Sequence, residues 1–134
     1  MKNLILLLMT CTLLFSQNYR EFAKEMGYET EYKTALMKAK KENKELMVLM
    51  VTNYCPWCSK FEKKTLMDKN IDAAVKSKYI PLIINRQEGN FPSYLNTPIV
   101  PVTFFVEPNT QKVIHENVGF SNKIDFANLL EQLK

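Results

Sequence analysis

The sequence is short of glycine, cysteine, histidine and tryptophan, with three, three, one and one among 134 residues. No low-complexity tract or internal repeat is visible. Without Cys11, which lies in the N-terminal apolar run, two cysteines and the distant His115 cannot supply the four ligands of a structural zinc site. Ser59 follows Cys58, so there is no C-x-x-C-H and no covalent haem attachment. An excess of one charge is missing too: 18 basic and 14 acidic residues leave a formal +4. The lysines of "KAKKENK" fit a solvated helix face, and no basic patch for nucleic acid is expected. Long apolar runs are absent apart from "LILLLMTCTLLF" at 4–15, well short of the ~20 residues that span a membrane.

What remains is 46% hydrophobic and 24% charged, the profile of a soluble globular chain with one real core. The apolar run follows Met1-Lys2-Asn3 and ends at Ser16-Gln17-Asn18, the layout of a secretory signal peptide. Residues 1–16 are therefore expected to be a cleaved signal and 17–134 one domain in the periplasm. An uncleaved membrane anchor is the alternative. Lipid attachment at Cys11 is a third reading, weakened by Thr10 before the cysteine and by the apolar residues after it. Cleavage would remove Cys11 and Lys2, leaving 17 basic and 14 acidic residues and two cysteines, Cys55 and Cys58.

Cysteine pairs in exported proteins usually become structural disulfides. A bridge across two residues restricts the unfolded chain little, because the entropic effect grows with loop length. A domain with its own core does not need one. The spacing therefore favours chemistry over stapling.

Periodicity places the pair. Tyr32, Ala35, Leu36 and Ala39 make a helical stripe within 30–43. "LMVLMV" (46–51) reads as a strand buried on both faces. Pro56 suits the first position of a helix, expected to run to Met67. A second short helix over 69–78 has Asn70 as its expected cap. "YIPLII" (79–84) is a strand whose Pro81 points to a sheet edge or a bulge, and with no strand before residue 46 the edge is expected. Strands at 102–106 and 112–118 flank the turn "EPNT". A last helix, capped by Ser121 or Asn122, carries Phe126, Leu129, Leu130 and Leu133 on one face. Residues 17–28 carry no clear pattern, and no strand is expected before residue 46. The fold class is α/β, a mixed sheet of about four strands flanked by helices.

A strand that hands a cysteine to a helix N-terminus favours the thiolate, the nucleophilic form. Cys55 stands there. Cys58, one turn on, can attack a mixed disulfide formed at Cys55.

"KAKKENKELMVLMVTNYCPWCSKFEKKTLMDKNI" and, downstream, "VPVTFFVEPNTQKV" resemble the thioredoxin superfamily. The likeness extends to exported thioredoxin-like proteins and the C-terminal domain of DsbD-type reductases, over roughly residues 30–134. The resemblance implies a thioredoxin fold and a thiol–disulfide oxidoreductase acting on protein disulfides. It implies a reductase more than an oxidase or isomerase, with a membrane electron donor of DsbD type, no cofactor, no bound metal and a monomeric chain. It implies Cys55 as nucleophile, Cys58 as resolving thiol, and Pro101, after Val100, as the family's cis-proline lining the substrate cleft. Pro56 and Trp57 fill the dipeptide. Tyr54 replaces the usual tryptophan, and Tyr54 and Trp57 are expected to offer an apolar docking patch, with ordinary packing of Trp57 over the sheet edge as the competing reading.

One departure matters. The family's buried aspartate, six residues before the first cysteine, is Leu49 here. Glu62, four residues after Cys58 on the same helix face, is the candidate substitute for proton transfer; a solvated surface glutamate is the competing reading. A Cu(I)-binding module using the two thiolates and nearby methionines is the alternative from another class. Met47 and Met50 are expected in the core.

Overall fold

The computed structural model describes residues 19–134. The expected signal peptide (1–16) and Cys11 lie outside the described residues. The chain folds as α1 (Tyr19–Met26), α2 (Tyr32–Glu42), β1 (Glu45–Val51), α3 (Pro56–Phe61), a π-helical stretch (Glu62–Leu66), α4 (Lys69–Lys78), β2 (Tyr79–Asn85), β3 (Val102–Glu107), β4 (Lys112–Val118) and α5 (Lys123–Gln132). The strands form one sheet ordered β2-β1-β3-β4. β2 runs parallel to β1, while β1–β3 and β3–β4 are antiparallel.

β1 is an unbroken apolar run because both its faces are covered. Met47, Leu49 and Val51 enter one core layer with Phe61, Val75, Phe105 and Phe126. Leu46, Val48 and Met50 enter the other with Tyr32, Ala35 and Ala39 of α2. Met47 and Met50 are thus core residues, fully buried. β4 alternates between exposed and half-buried positions, as an edge strand covered on one face does.

β2 is the opposite edge, in keeping with Pro81. The Pro81 carbonyl accepts from Glu29 N–H at 2.9 Å, and Ile83 N–H donates to the Glu29 carbonyl at 2.9 Å. The carbonyl and nitrogen of a strand residue face the same way, so the missing N–H of Pro81 points outward. The ladder to β1 loses nothing. Glu29 makes only an isolated parallel bridge there, and no further strand joins the sheet among the described residues.

Three local expectations need correction. The helix from Pro56 to Met67 is not uniform: α3 stops at Phe61 and a π stretch follows, closed by Met67 N–H to the Glu62 carbonyl at 2.9 Å. The cap of α4 is Asp68, whose Oδ1 accepts from Asn70 and Ile71 N–H at 2.9 and 3.1 Å; Asn70 is already helical. The patternless 17–28 segment holds α1, which buries Phe22 and Ala23. Of the two cap candidates for α5, Asn122 caps it, accepting from Asp125 N–H at 2.9 Å. Among the described residues, no helix is long and apolar enough to cross a membrane.

Candidate active site

The register gathers distant segments at one end of the sheet. Val51 at the end of β1 stands opposite Asn85 at the end of β2, and Met50 stands opposite Val102 at the start of β3. The loop to Cys55 and the residues before Val102 therefore meet at that edge. Gly119 N–H reaches back to the Pro101 carbonyl at 2.7 Å, which brings Phe120 there as well. The Val100–Pro101 peptide bond is cis. Pro101 is buried and Val100 half-buried. Val100 packs on the same core layer as Cys55 and Phe120.

The loop before the cysteines is pinned by amides. Asn53 Oδ1 accepts from Asn85 Nδ2 at 2.8 Å, and Asn53 N–H donates to Gln87 Oε1 at 2.6 Å. Tyr54 then takes a left-handed backbone conformation, φ +55°, that turns the chain sharply into α3.

Cys55 is the N-cap of α3, with Pro56 in the first turn, where a missing N–H is harmless. Its Sγ accepts from Cys58 N–H at 3.2 Å. Cys55 and Cys58 form a disulfide with Cα atoms 5.2 Å apart. The two sulfurs are not equivalent. Cys55 is half-buried, whereas Cys58 is 3% exposed and belongs to the core layer. A helix N–H aimed at Cys55 Sγ stabilises negative charge there after reduction.

Leu49 is fully buried in the same core layer as Cys58. The carboxyl near the pair comes instead from Glu62, the first residue of the π stretch. A cavity of about 640 Å³ opens beside the disulfide, lined in part by Tyr19, Thr52, Cys55, Cys58 and Glu62. Burial pushes the Glu62 carboxyl from an ordinary 4.5 up to about 7, with Lys63 opposing the shift. A group of that pKa exchanges protons readily at neutral pH.

This shift has a testable sign. Between about pH 4.5 and 7 the folded chain keeps the Glu62 proton while the unfolded chain has released it. The native state then binds more protons, so stability falls as pH rises through that window. Glu62→Gln is expected to remove that part of the slope. The check is the urea midpoint of the oxidised protein against pH for both forms. Parallel curves would make Glu62 an ordinary solvated carboxylate.

Several participants were not found from the sequence. Tyr19 closes one wall of the cavity, held by its hydroxyl on Glu88 Oε2 at 2.6 Å. Burial and the Glu88 carboxylate push that phenol up to about 12. Arg20 also reaches Glu88 Oε2, at 3.0 Å. On the exposed side Trp57 lies 5.8 Å from Phe120, which meets Phe61 edge-on, which in turn meets Phe126. Trp57 is thus rooted through stacked rings in the core, yet 56% exposed; Tyr54 is 94% exposed. Local sequence carries no signal for these contacts, which depend on the tertiary fold. His115 is half-buried against Phe105 and lies on β4, away from the pair. Among the described residues no group of three or more His, Cys, Asp or Glu side chains could hold a metal ion.

Comparison with known proteins agrees with this geometry. A family model described as thioredoxin-like matches residues 28–108. No curated protein matches the chain in sequence. Among solved structures, a thioredoxin from Thermus thermophilus is 18% identical, with a TM-score of 0.68 over 79% of this chain and 85% of that one. The oxidised C-terminal domain of Neisseria meningitidis DsbD is 19% identical, with a TM-score of 0.64 over 80% of this chain and 99% of that one. The DsbH oxidoreductase is 13% identical, with a TM-score of 0.63 over 78% and 81%. At these identities the likeness is one of fold.

Proposed function

Since this chain belongs to the thioredoxin-like family and is a thiol–disulfide oxidoreductase, we propose that it reduces protein disulfides in the periplasm, with Cys55 attacking and Cys58 resolving. The observation that carries the assignment of roles is the asymmetry of the pair. Cys55 is half-exposed and receives a helix N–H at 3.2 Å; Cys58 is buried one turn behind it.

The cycle balances. The Cys55 thiolate attacks one sulfur of a client disulfide, forming a mixed disulfide and expelling the other client sulfur as a thiolate. Cys58 gives up its proton and attacks Cys55 Sγ, which releases the second client thiol. The client gains two electrons and this chain becomes the Cys55–Cys58 disulfide. Glu62 takes the Cys58 proton; its place in the same cavity and its raised pKa support that role. Val100 and the cis Pro101 line the client's cleft, and Pro56, Tyr54 and Trp57 frame the exposed sulfur. No cofactor takes part, since the electrons stay on sulfur.

The chain works as a monomer, delivered by the 1–16 signal. A membrane donor of DsbD type re-reduces it, a reading supported by the structural likeness to a DsbD domain. The direct test is reduction of insulin disulfides by the purified chain with dithiothreitol as electron source. Turnover above the dithiothreitol rate is expected. A rate equal to dithiothreitol alone would remove the proposal.

A further inference from the structure

We propose that Lys60, held over the Trp57 and Phe120 rings beside the cysteine pair, determines specificity for polypeptide disulfides flanked by acidic side chains. This rests on the oxidoreductase reading and names its substrate class. Lys60 Nζ lies 4.7 Å from the Trp57 ring centroid and 5.0 Å from that of Phe120. Two aromatic faces attract a cation and fix where it stands. Trp57 is itself anchored through Phe120 and Phe61, so the charge is presented on a rigid support.

The charge is not neutralised by the protein. No carboxylate among the described residues lies within 4.0 Å of Lys60 Nζ. Glu62 lines the cavity on the Tyr19 side, which Lys60 and Trp57 do not border. Asp68 caps α4 and meets Lys123 at 3.5 Å, and Asp125 accepts from Asn122 Nδ2 at 3.0 Å. Lys63 and Lys64 are also exposed, on the π stretch that continues α3. An ammonium beside apolar rings acts at a lower effective dielectric than one in open water.

The location identifies the occupant. Phe120 follows Gly119, whose N–H bonds the Pro101 carbonyl, so the Trp57, Phe120 and Lys60 cluster borders the cleft through which a client disulfide reaches Cys55 Sγ. Lys60 is five residues beyond Cys55, a rise of roughly 7.5 Å and a turn of about 140° around a helix, and its side chain reaches back over Trp57, which stands between the two cysteines in the chain. An extended peptide covers that rise in about two or three residues. A carboxylate at that distance from the client cysteine meets the ammonium, and a lysine there is repelled.

Trp57 is the chain's only tryptophan and gives a fluorescence signal next to the reaction. The pre-reduced protein is mixed with two peptide disulfides that differ only in Glu or Lys two residues from each cysteine. Each rate is divided by the same variant's rate with neutral 2-hydroxyethyl disulfide. The Glu peptide is expected to react about five- to tenfold faster in dilute buffer, with the gap closing near half-molar salt. Lys60→Glu should invert the preference. Lys112→Glu, at the far end of β4, changes the net charge equally and should preserve it. Equal rates for the two peptides would overturn the assignment. So would a preference that survives Lys60→Glu or is lost in Lys112→Glu. If the parent chain does not react with 2-hydroxyethyl disulfide, the oxidoreductase reading fails first and takes this inference with it.

Discussion

Cys55→Ser is expected to lower disulfide exchange by at least about a thousandfold, because a serine hydroxyl at neutral pH is no substitute for a thiolate. Cys58→Ser should behave differently. Cys55 would still attack, but nothing would resolve the product, and a mixed disulfide with the client would accumulate. Intact-mass spectrometry after mixing with oxidised client separates the two variants: an adduct with Cys58→Ser and none with Cys55→Ser. The reverse pattern would mean that the buried sulfur is the attacking one. That would contradict the burial of Cys58 and the N–H aimed at Cys55 Sγ.

Phe61→Ala is expected to be the most damaging core change near the site. Phe61 is fully buried and touches Phe126 and Phe120 edge-on, with ring centroids 5.2 and 6.2 Å away. Removing a buried phenyl ring costs about 3–5 kcal/mol, from lost transfer energy and the cavity left behind. With a urea slope near 2 kcal/mol/M, the midpoint of the oxidised protein should fall by about 2 M. The ring also joins Trp57 to the core by way of Phe120. The variant should therefore show a more mobile Trp57, read as lower fluorescence anisotropy at temperatures where it remains folded. A midpoint shift below about 0.5 M would mean that the aromatic stack does not hold this layer together.

What could be read from the sequence follows from the range of each interaction. β1 was legible because a strand covered on both faces must be continuously apolar. The edge position of β2 was legible because Pro81 leaves a missing donor that has to face outward. The cysteine pair was legible for a local reason, a strand that delivers a cysteine to a helix start, and the thioredoxin fold through the resemblance of the segments around that pair and around Pro101. The π stretch was not. Cys58, Phe61, Thr65 and Leu66 are its buried residues together with those of α3, and that spacing also fits an α-helix, so an extra backbone residue leaves no trace in the pattern. Asp68 and Asn70 are both good caps, and only the backbone decides between them. α1 is eight residues long and buries just Phe22 and Ala23, too little for a periodic signal. Tyr19 meets Glu88 across 69 residues, and Phe120 reaches Trp57 only through the turn after β4. Contacts of that kind are set by topology. Glu62 lay between the two cases: its helical spacing from Cys58 was visible, while its burial required the fold.

The reduction potential of the Cys55–Cys58 pair, measured by equilibration against dithiothreitol or glutathione, tests the central claim most directly. A reductase should equilibrate near the thioredoxin value of about −270 mV, with a disulfide stable enough for the reduced form to give its electrons away. A value near the DsbA figure of about −120 mV would mean a strongly stabilised Cys55 thiolate and a protein built to accept electrons. The pair would then be an oxidant, and the direction of electron flow proposed for this chain would be wrong.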